Sequence, residues 1–176
     1  DDFFSDWRSK KKYAGGGILM DQGIHMLDLF LYLAGDFNKI KSSLSNLYWK
    51  GDVEDNVFAL FSNKKGQVAS LHSTMTQWRH IFSLEIFMEQ GYIVLNGLKT
   101  TSNSYGEEIL NIATNRTQSP EATWTDEEQH KFSIDDCWER ELTVFRDAIL
   151  EDLTIETCGI EDAIQLMEMV DKVYSQ

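Results

Sequence analysis

Between Gly15 and Gly35 the chain reads GGGILMDQGIHMLDLFLYLAG, a run that few local structures accept. From Leu19 to Ala34 it contains no Lys, Arg or Pro, and Gly35 and Asp36 follow as a stop signal. The spacing predicts one helix that starts just after the glycine triplet. Wound at about 100° per residue, Asp21, His25, Asp28 and Tyr32 fall on one narrow stripe with Gln22 at its flank. Leu19, Met20, Ile24, Met26, Leu27, Phe30, Leu31 and Leu33 cover most of the rest. The expectation is a buried helix with a single polar seam. Its polar groups must then face other protein groups or a ligand cleft, because an unpaired buried carboxylate or imidazole is costly.

The flanking sequence places this helix in a layered fold. Residues 1 to 13 read as a short helical or irregular lead-in, with Phe3, Phe4, Trp7 and Tyr13 available to pack. After the helix the period changes. Strands are expected over Ile40–Trp49, Val57–Phe61, Val68–Thr76, Phe82–Met88 and Tyr92–Leu95, with turns at Asn63–Gly66, Gln90-Gly91 and Asn96-Gly97. Strands in series without helices between them pair antiparallel. Residues 103 to 131 are polar and acidic and hold the only proline, Pro120; a short strand at Ile109–Ile112 and a mobile central loop are expected there. Ser133 with Asp136 reads as the N-cap of a helix carrying Ile134, Cys137 or Trp138, Glu141, Leu142, Phe145, Ala148 and Ile149. A last helix starts near Ile160 with Ala163, Leu166, Met167, Val170 and Tyr174 at helical spacing. This order predicts an α+β fold: a mainly antiparallel open sheet, covered on one face by helices, forming a single domain over residues 1–176.

Composition narrows the function classes. Of 176 residues, 42% are hydrophobic and 12% aromatic, enough for a sizeable core. The net charge of -13 argues against nucleic acid and anionic membranes as partners. The local exception, Arg8-Ser9-Lys10-Lys11-Lys12, reads first as a solvated loop and second as a cationic lip that draws an anionic substrate toward the helix. No apolar run reaches the roughly 18 to 20 residues of a membrane span. Cys137 and Cys158 lack metal or redox spacing, which points to a reduced cytoplasmic setting. Asn115-Arg116-Thr117 matches a glycosylation sequon, to which no weight attaches without evidence of secretion. The opening residues mix aromatics and charge like the interior of a structure, and the expectation is an excised piece of a longer protein.

Asp21 and His25 stand four apart, and Asp28 three further on. On one helix face the two carboxylates would orient the imidazole and raise its pKa, fitting it for proton transfer near neutrality. The competing readings are a core histidine satisfied by its helix neighbours, and a metal site of Asp21, His25 and Asp28. A straight helix seldom aims three ligands at one ion, and His72, His80 and His130 are isolated, so metal is not preferred. Gly15 and Gly17 have the first spacing of a dinucleotide fingerprint, but position 20 is Met and no strand precedes the run, so the fingerprint fails.

Taken together, Trp7-Arg8, Gly15-Gly16-Gly17-x-Leu19-x-Asp21-x-Gly23-x-His25-x-x-Asp28 and Leu33-x-Gly35 resemble the start of the C-terminal domain of the glucose-fructose oxidoreductase, inositol dehydrogenase and MocA family. Glu54-Asp55 before a strand, the hairpin at Asn63–Gly66 and the closing pair of helices extend the resemblance over nearly the whole chain. It implies the substrate half of an enzyme whose absent N-terminal Rossmann domain binds NAD or NADP and carries the catalytic lysine of a Glu-Lys-Pro motif. Asp21 and His25 then match the family's catalytic pair. Trp7, Arg8 and Asp28 line the same cleft, which takes a sugar, nucleotide sugar or polyol for hydride transfer at a secondary alcohol. No cofactor-binding residue is expected in this chain. The sheet's open face, including Val57–Phe61 and Val68–Thr76, is implied as a homo-oligomer contact. Two readings stand beside this one: a non-catalytic oligomerisation or binding module, and a metal-dependent hydrolase.

Overall fold

A computed structural model describes residues 6–114, 124–155 and 158–176. The expectations for Phe3 and Phe4, the sequon at Asn115 and the loop at Pro120 lie outside them. The chain divides into two compact units, residues Asp1–Thr76 with Ile155–Gln176, and residues Gln77–Thr154. The α+β class and antiparallel pairing agree with the sequence, and the strands are shared between a three-stranded and a four-stranded sheet.

In the first unit, β1 (Lys39–Ser45), β2 (Asn56–Ser62) and β3 (Val68–Thr74) pair antiparallel in chain order. Alternation along β2 sends Val57, Ala59 and Phe61 into the core and leaves Phe58 and Leu60 exposed. Phe61 packs edge-on against Phe30 and Phe37, with ring centroids 5.7 and 5.8 Å away. Helix α2 (Ile24–Ala34) contributes Leu27 and Phe30 to this core, and α4 (Ile160–Tyr174) contributes Met169, Val170 and Val173. Ser42 Oγ donates to the Val173 carbonyl at 2.6 Å and fastens α4 to β1. The β2–β3 turn is set by Asn63, whose side-chain oxygen accepts the Lys65 and Gln67 amides, both at 3.0 Å.

Two expectations for this unit are corrected. Strand β1 ends at Ser45, not Trp49, because the buried Asp55 carboxylate takes the Tyr48 and Trp49 amides at 3.0 and 2.9 Å, away from any ladder. The long helix is not α throughout. Leu19–Gly23 is wound as a π-helix and α2 continues from Ile24.

In the second unit, β4 (Ser83–Met88), β5 (Gly91–Asn96), β6 (Glu108–Thr114) and β7 (Glu128–Phe132) form an antiparallel meander. The tight hairpin expected at Asn96-Gly97 is absent: the Gly97 amide bonds back to the Phe82 carbonyl at 3.0 Å, and β6 begins only at Glu108. Strand β7 escaped the sequence reading because all five of its residues are exposed and carry no apolar alternation. Helix α3 (Cys137–Glu151) starts later than the Ser133 signal, with Asp136 at its cap and the Asp136 carboxylate turned to Arg140 at 2.7 Å. Its apolar positions Trp138, Leu142, Phe145 and Ile149 are exposed rather than packed.

Candidate functional site

The glycine triplet lies at the centre of a hydrogen-bonded lock in the first unit. After α1 (Lys11–Ala14), Gly15 takes φ +79, a left-handed turn that suits glycine. The Gly17 amide then donates to both carboxylate oxygens of Glu54 at 2.9 Å, and the Leu19 amide donates to Glu54 Oε1 at 3.1 Å. The Ile18 amide donates to the Glu54 carbonyl at 3.1 Å. From the far end of the chain, the Tyr174 hydroxyl donates to the same Oε1 at 2.8 Å.

The close approach explains the residue type at two positions. A Cβ on Gly17 would lie 2.9 Å from the Glu54 nitrogen and nearer still to its carbonyl oxygen. A Cβ on Gly16 would lie 2.7 Å from Tyr174 Cζ, with the hydroxyl nearer again. Burial, and then the hydrogen bond to the Glu54 carboxylate, push the Tyr174 hydroxyl above its ordinary pKa. The positive end of the helix is therefore already met by a protein carboxylate. That arrangement does not fit the pyrophosphate of a dinucleotide, which would need the same amides.

Beyond the lock, the seam residues are not buried. Asp21, Gln22, His25, Asp28 and Tyr32 are all exposed, and this corrects the expected buried seam. The helix buries only one side, through Leu19, Leu27 and Phe30. Asp21 lies within the π segment, and its carboxylate lies 3.8 Å from Arg8 Nε. Gln22 Nε2 also donates to Asp21, at 3.3 Å. Among the described residues, no hydrogen bond or ion pair joins His25 to Asp21 or Asp28.

Arg8 is itself held in place. Asp6 caps the short 3-10 helix Trp7–Ser9 by accepting the Arg8 amide at 3.2 Å, and its other oxygen meets Arg8 Nη1 at 3.4 Å. The guanidinium stacks over the Trp7 ring, 4.9 Å from its centroid. Lys11 is anchored through its amide to Asp52 at 2.8 Å. The structure thus joins Trp7, Arg8 and Asp21, and it sets His25 and Asp28 on the exposed side of α2 without bonding them to that group. Among the described residues, no cluster of three or more His, Cys, Asp or Glu is arranged to hold a metal ion, and no helix is long and apolar enough to cross a membrane. The sequence reading missed Glu54 and Tyr174 as parts of the lock. The one available signal was that three adjacent glycines need a neighbour close enough to require them.

Residues 1–94 match the family model described as the GFO/IDH/MocA C-terminal domain. No curated protein matches the chain significantly. Solved structures do. KijD10, a 3-ketoreductase from Actinomadura kijaniata in complex with NADP and TDP-benzene, is 19% identical with a TM-score of 0.74, covering 97% of this chain and 49% of that one. The WlbA dehydrogenase from Bordetella pertussis, in complex with NADH and UDP-GlcNAcA, is 19% identical with a TM-score of 0.69, over 96% and 45% of the two chains. The UDP-N-acetylglucosamine 3-dehydrogenase GnnA from Acidithiobacillus ferrooxidans is 20% identical with a TM-score of 0.70, over 89% and 45%. At these identities the likeness is one of fold. The chain spans about half the length of the structures it matches.

Proposed function

Because this chain belongs to the GFO/IDH/MocA C-terminal domain family, we propose that it is the substrate-binding and assembly domain of an NAD(P)-dependent oxidoreductase acting on a sugar, nucleotide sugar or polyol. The observation that carries the reading is the exposed polar side of the helix at Leu19–Ala34: Asp21, His25 and Asp28 are exposed, with Asp21 beside Arg8, while Leu19, Leu27 and Phe30 are buried in the core. Charged groups held on a rigid element and left open suit a cleft wall. In the proposed enzyme the nicotinamide, seated by an N-terminal dinucleotide-binding domain, exchanges the hydride at a secondary alcohol carbon.

The work left to this chain is binding and proton handling. His25 serves as the group that takes or returns the proton of the reacting hydroxyl. Trp7 offers a flat face and Arg8 a cation to the substrate, and Asp21 steadies Arg8. Asp28 lies one turn beyond His25 as a hydroxyl acceptor. Solved structures of the same fold that hold nucleotide-linked ligands, TDP-benzene in KijD10 and UDP-GlcNAcA in WlbA, support a nucleotide sugar as the substrate class. The open face of the first sheet, with Phe58 53% and Leu60 57% exposed, is the proposed contact for a second copy.

The test is His25→Ala in the full-length protein, assayed with UDP- and TDP-linked sugars and both nicotinamide cofactors. His25 is exposed, so the fold should survive within about 0.5 kcal/mol, while turnover falls by roughly 10²- to 10⁴-fold. A variant with undiminished turnover removes the reading and moves the assembly module to the front.

A further inference from the structure

The lock beneath the helix connects three segments that no local motif joins. Glu54 lies 37 residues from Gly17, and Tyr174 lies 120 residues from Glu54. One carboxylate gathers the Gly17 and Leu19 amides and the Tyr174 hydroxyl, and the last two converge on the same oxygen. Immediately downstream, the chain is wound as a π-helix for five residues. A π turn is rare and carries less favourable hydrogen bonding than α winding, so it persists only where its surroundings hold it. The Leu19 carbonyl accepts from the Ile24 amide, the i to i+5 bond of the π turn, while the Leu19 amide is tied to Glu54.

We propose that Glu54 and Tyr174 are positioning residues. They hold Leu19 at the start of the π segment 19–23, and with it Asp21 in its place beside Arg8. The consequence is a division of roles along the seam: Asp21 steadies the Trp7–Arg8 lip, and His25 is left open. That link to substrate binding rests on the function proposed above, but the conformational claim stands apart from it. Tyr174 acts through Glu54 and touches neither Arg8 nor Asp21. The geometry accounts for three features together: Gly16 lies against Tyr174, Gly17 lies against Glu54, and the π turn begins where the carboxylate's last backbone bond is made.

The experiment compares Tyr174→Phe and Glu54→Gln with Ser42→Ala. The last removes the Ser42–Val173 bond that fastens the same α4 helix to β1, and it touches nothing in the lock. In the 176-residue chain, amide exchange at Gly17 and Leu19 should quicken roughly ten- to hundredfold in Glu54→Gln and less in Tyr174→Phe, as expected when a bond to a charged acceptor is weakened. The Arg8 Nε–H resonance should shift toward that of free guanidinium as Asp21 turns away. Ser42→Ala should change neither signal. In the full-length enzyme, Tyr174→Phe should raise KM several-fold with a smaller change in kcat. Unchanged Leu19 exchange and Arg8 signal in both lock variants would overturn the proposal, as would equal changes in Ser42→Ala. If His25→Ala keeps its turnover, the functional reading fails on its own, and the exchange and Arg8 signals decide this proposal without it.

Discussion

Gly17→Ala is the substitution whose outcome follows most directly from the geometry. The added methyl would lie 2.9 Å from the Glu54 nitrogen and 3.0 Å from its carbonyl carbon, all backbone, so no side chain can rotate aside. Either the clash is retained, at about 1–3 kcal/mol for overpacking, or the two segments part. Parting stretches the Gly17 and Leu19 bonds to the Glu54 carboxylate, and each such bond to a charged group contributes about 1.5–3 kcal/mol. Restricting the unfolded chain offsets about 0.4–1 kcal/mol of this. The net expectation is a loss of about 2–4 kcal/mol, or a fall of roughly 4–16 °C in the melting temperature of a chain of this size. Urea titration checks it, read as a lower midpoint at constant slope. Gly35→Ala is the control. Nothing lies near its new methyl, but φ +74 with ψ -157 is backbone that essentially only glycine adopts, so its cost, about 1–3 kcal/mol, is one of conformation alone. If Gly17→Ala leaves the urea midpoint unchanged, the close approach of Gly17 to Glu54 is refuted.

Two further outcomes follow. Phe58→Glu, on the open face of the first sheet, should leave the fold within about 0.5 kcal/mol but weaken self-association of the full-length protein by roughly tenfold or more if that face is central to the contact; sedimentation equilibrium reads the change, and an unaltered assembly would reject the face. The Tyr174 hydroxyl gives a pH signature. Its pKa is raised in the fold, so the unfolded chain ionises first, near the usual value of about 10. The stability Tyr174 contributes is then complete below about pH 10 and declines as pH rises beyond it. Stability measured from pH 8 to 11 should fall less steeply at the alkaline end in Tyr174→Phe than in the parent, and identical slopes would contradict the assignment.

What the sequence disclosed was set by period and punctuation. Strand β2 could be read because Val57, Ala59 and Phe61 alternate with residues that stay outside the core, and the Asn63–Gly66 turn because Asn and Gly there have the geometry that a turn needs. Helix α4 was legible for the same reason at the longer period. Strand β7 was not, since a strand exposed along its whole length leaves no hydrophobic record. The end of β1 was hidden because Tyr48 and Trp49 look like strand residues, and only the distant Asp55 withdraws their amides.

The seam illustrates a different limit. Periodicity correctly set Asp21, His25 and Asp28 apart from the apolar residues, but it assumed α winding from the first residue. The structure instead winds residues 19–23 as a π turn, with Asp21 beside Arg8 and the Leu19 amide on Glu54, a contact with no local sequence mark. Among the described residues, no hydrogen bond or ion pair joins the two members of the Asp-x-x-x-His spacing.

The glycine triplet carries the most consequential ambiguity in the chain. Glycines before a helix can leave its amides open for a phosphate, or they can let another part of the protein reach those amides first. The two cases look alike in sequence and differ in charge, since in the second a carboxylate already answers the helix dipole. Here Glu54 does so, with Tyr174 bonded behind it. An anionic ligand at that helix end would meet a like charge, while Arg8, outside the lock and stacked on Trp7, remains the nearby cation it could approach. The capped end thus makes the rim of the helix, rather than its N-terminus, the place where a negatively charged substrate would be met. That is the arrangement expected under the proposed function, in which dinucleotide binding falls to another part of the enzyme.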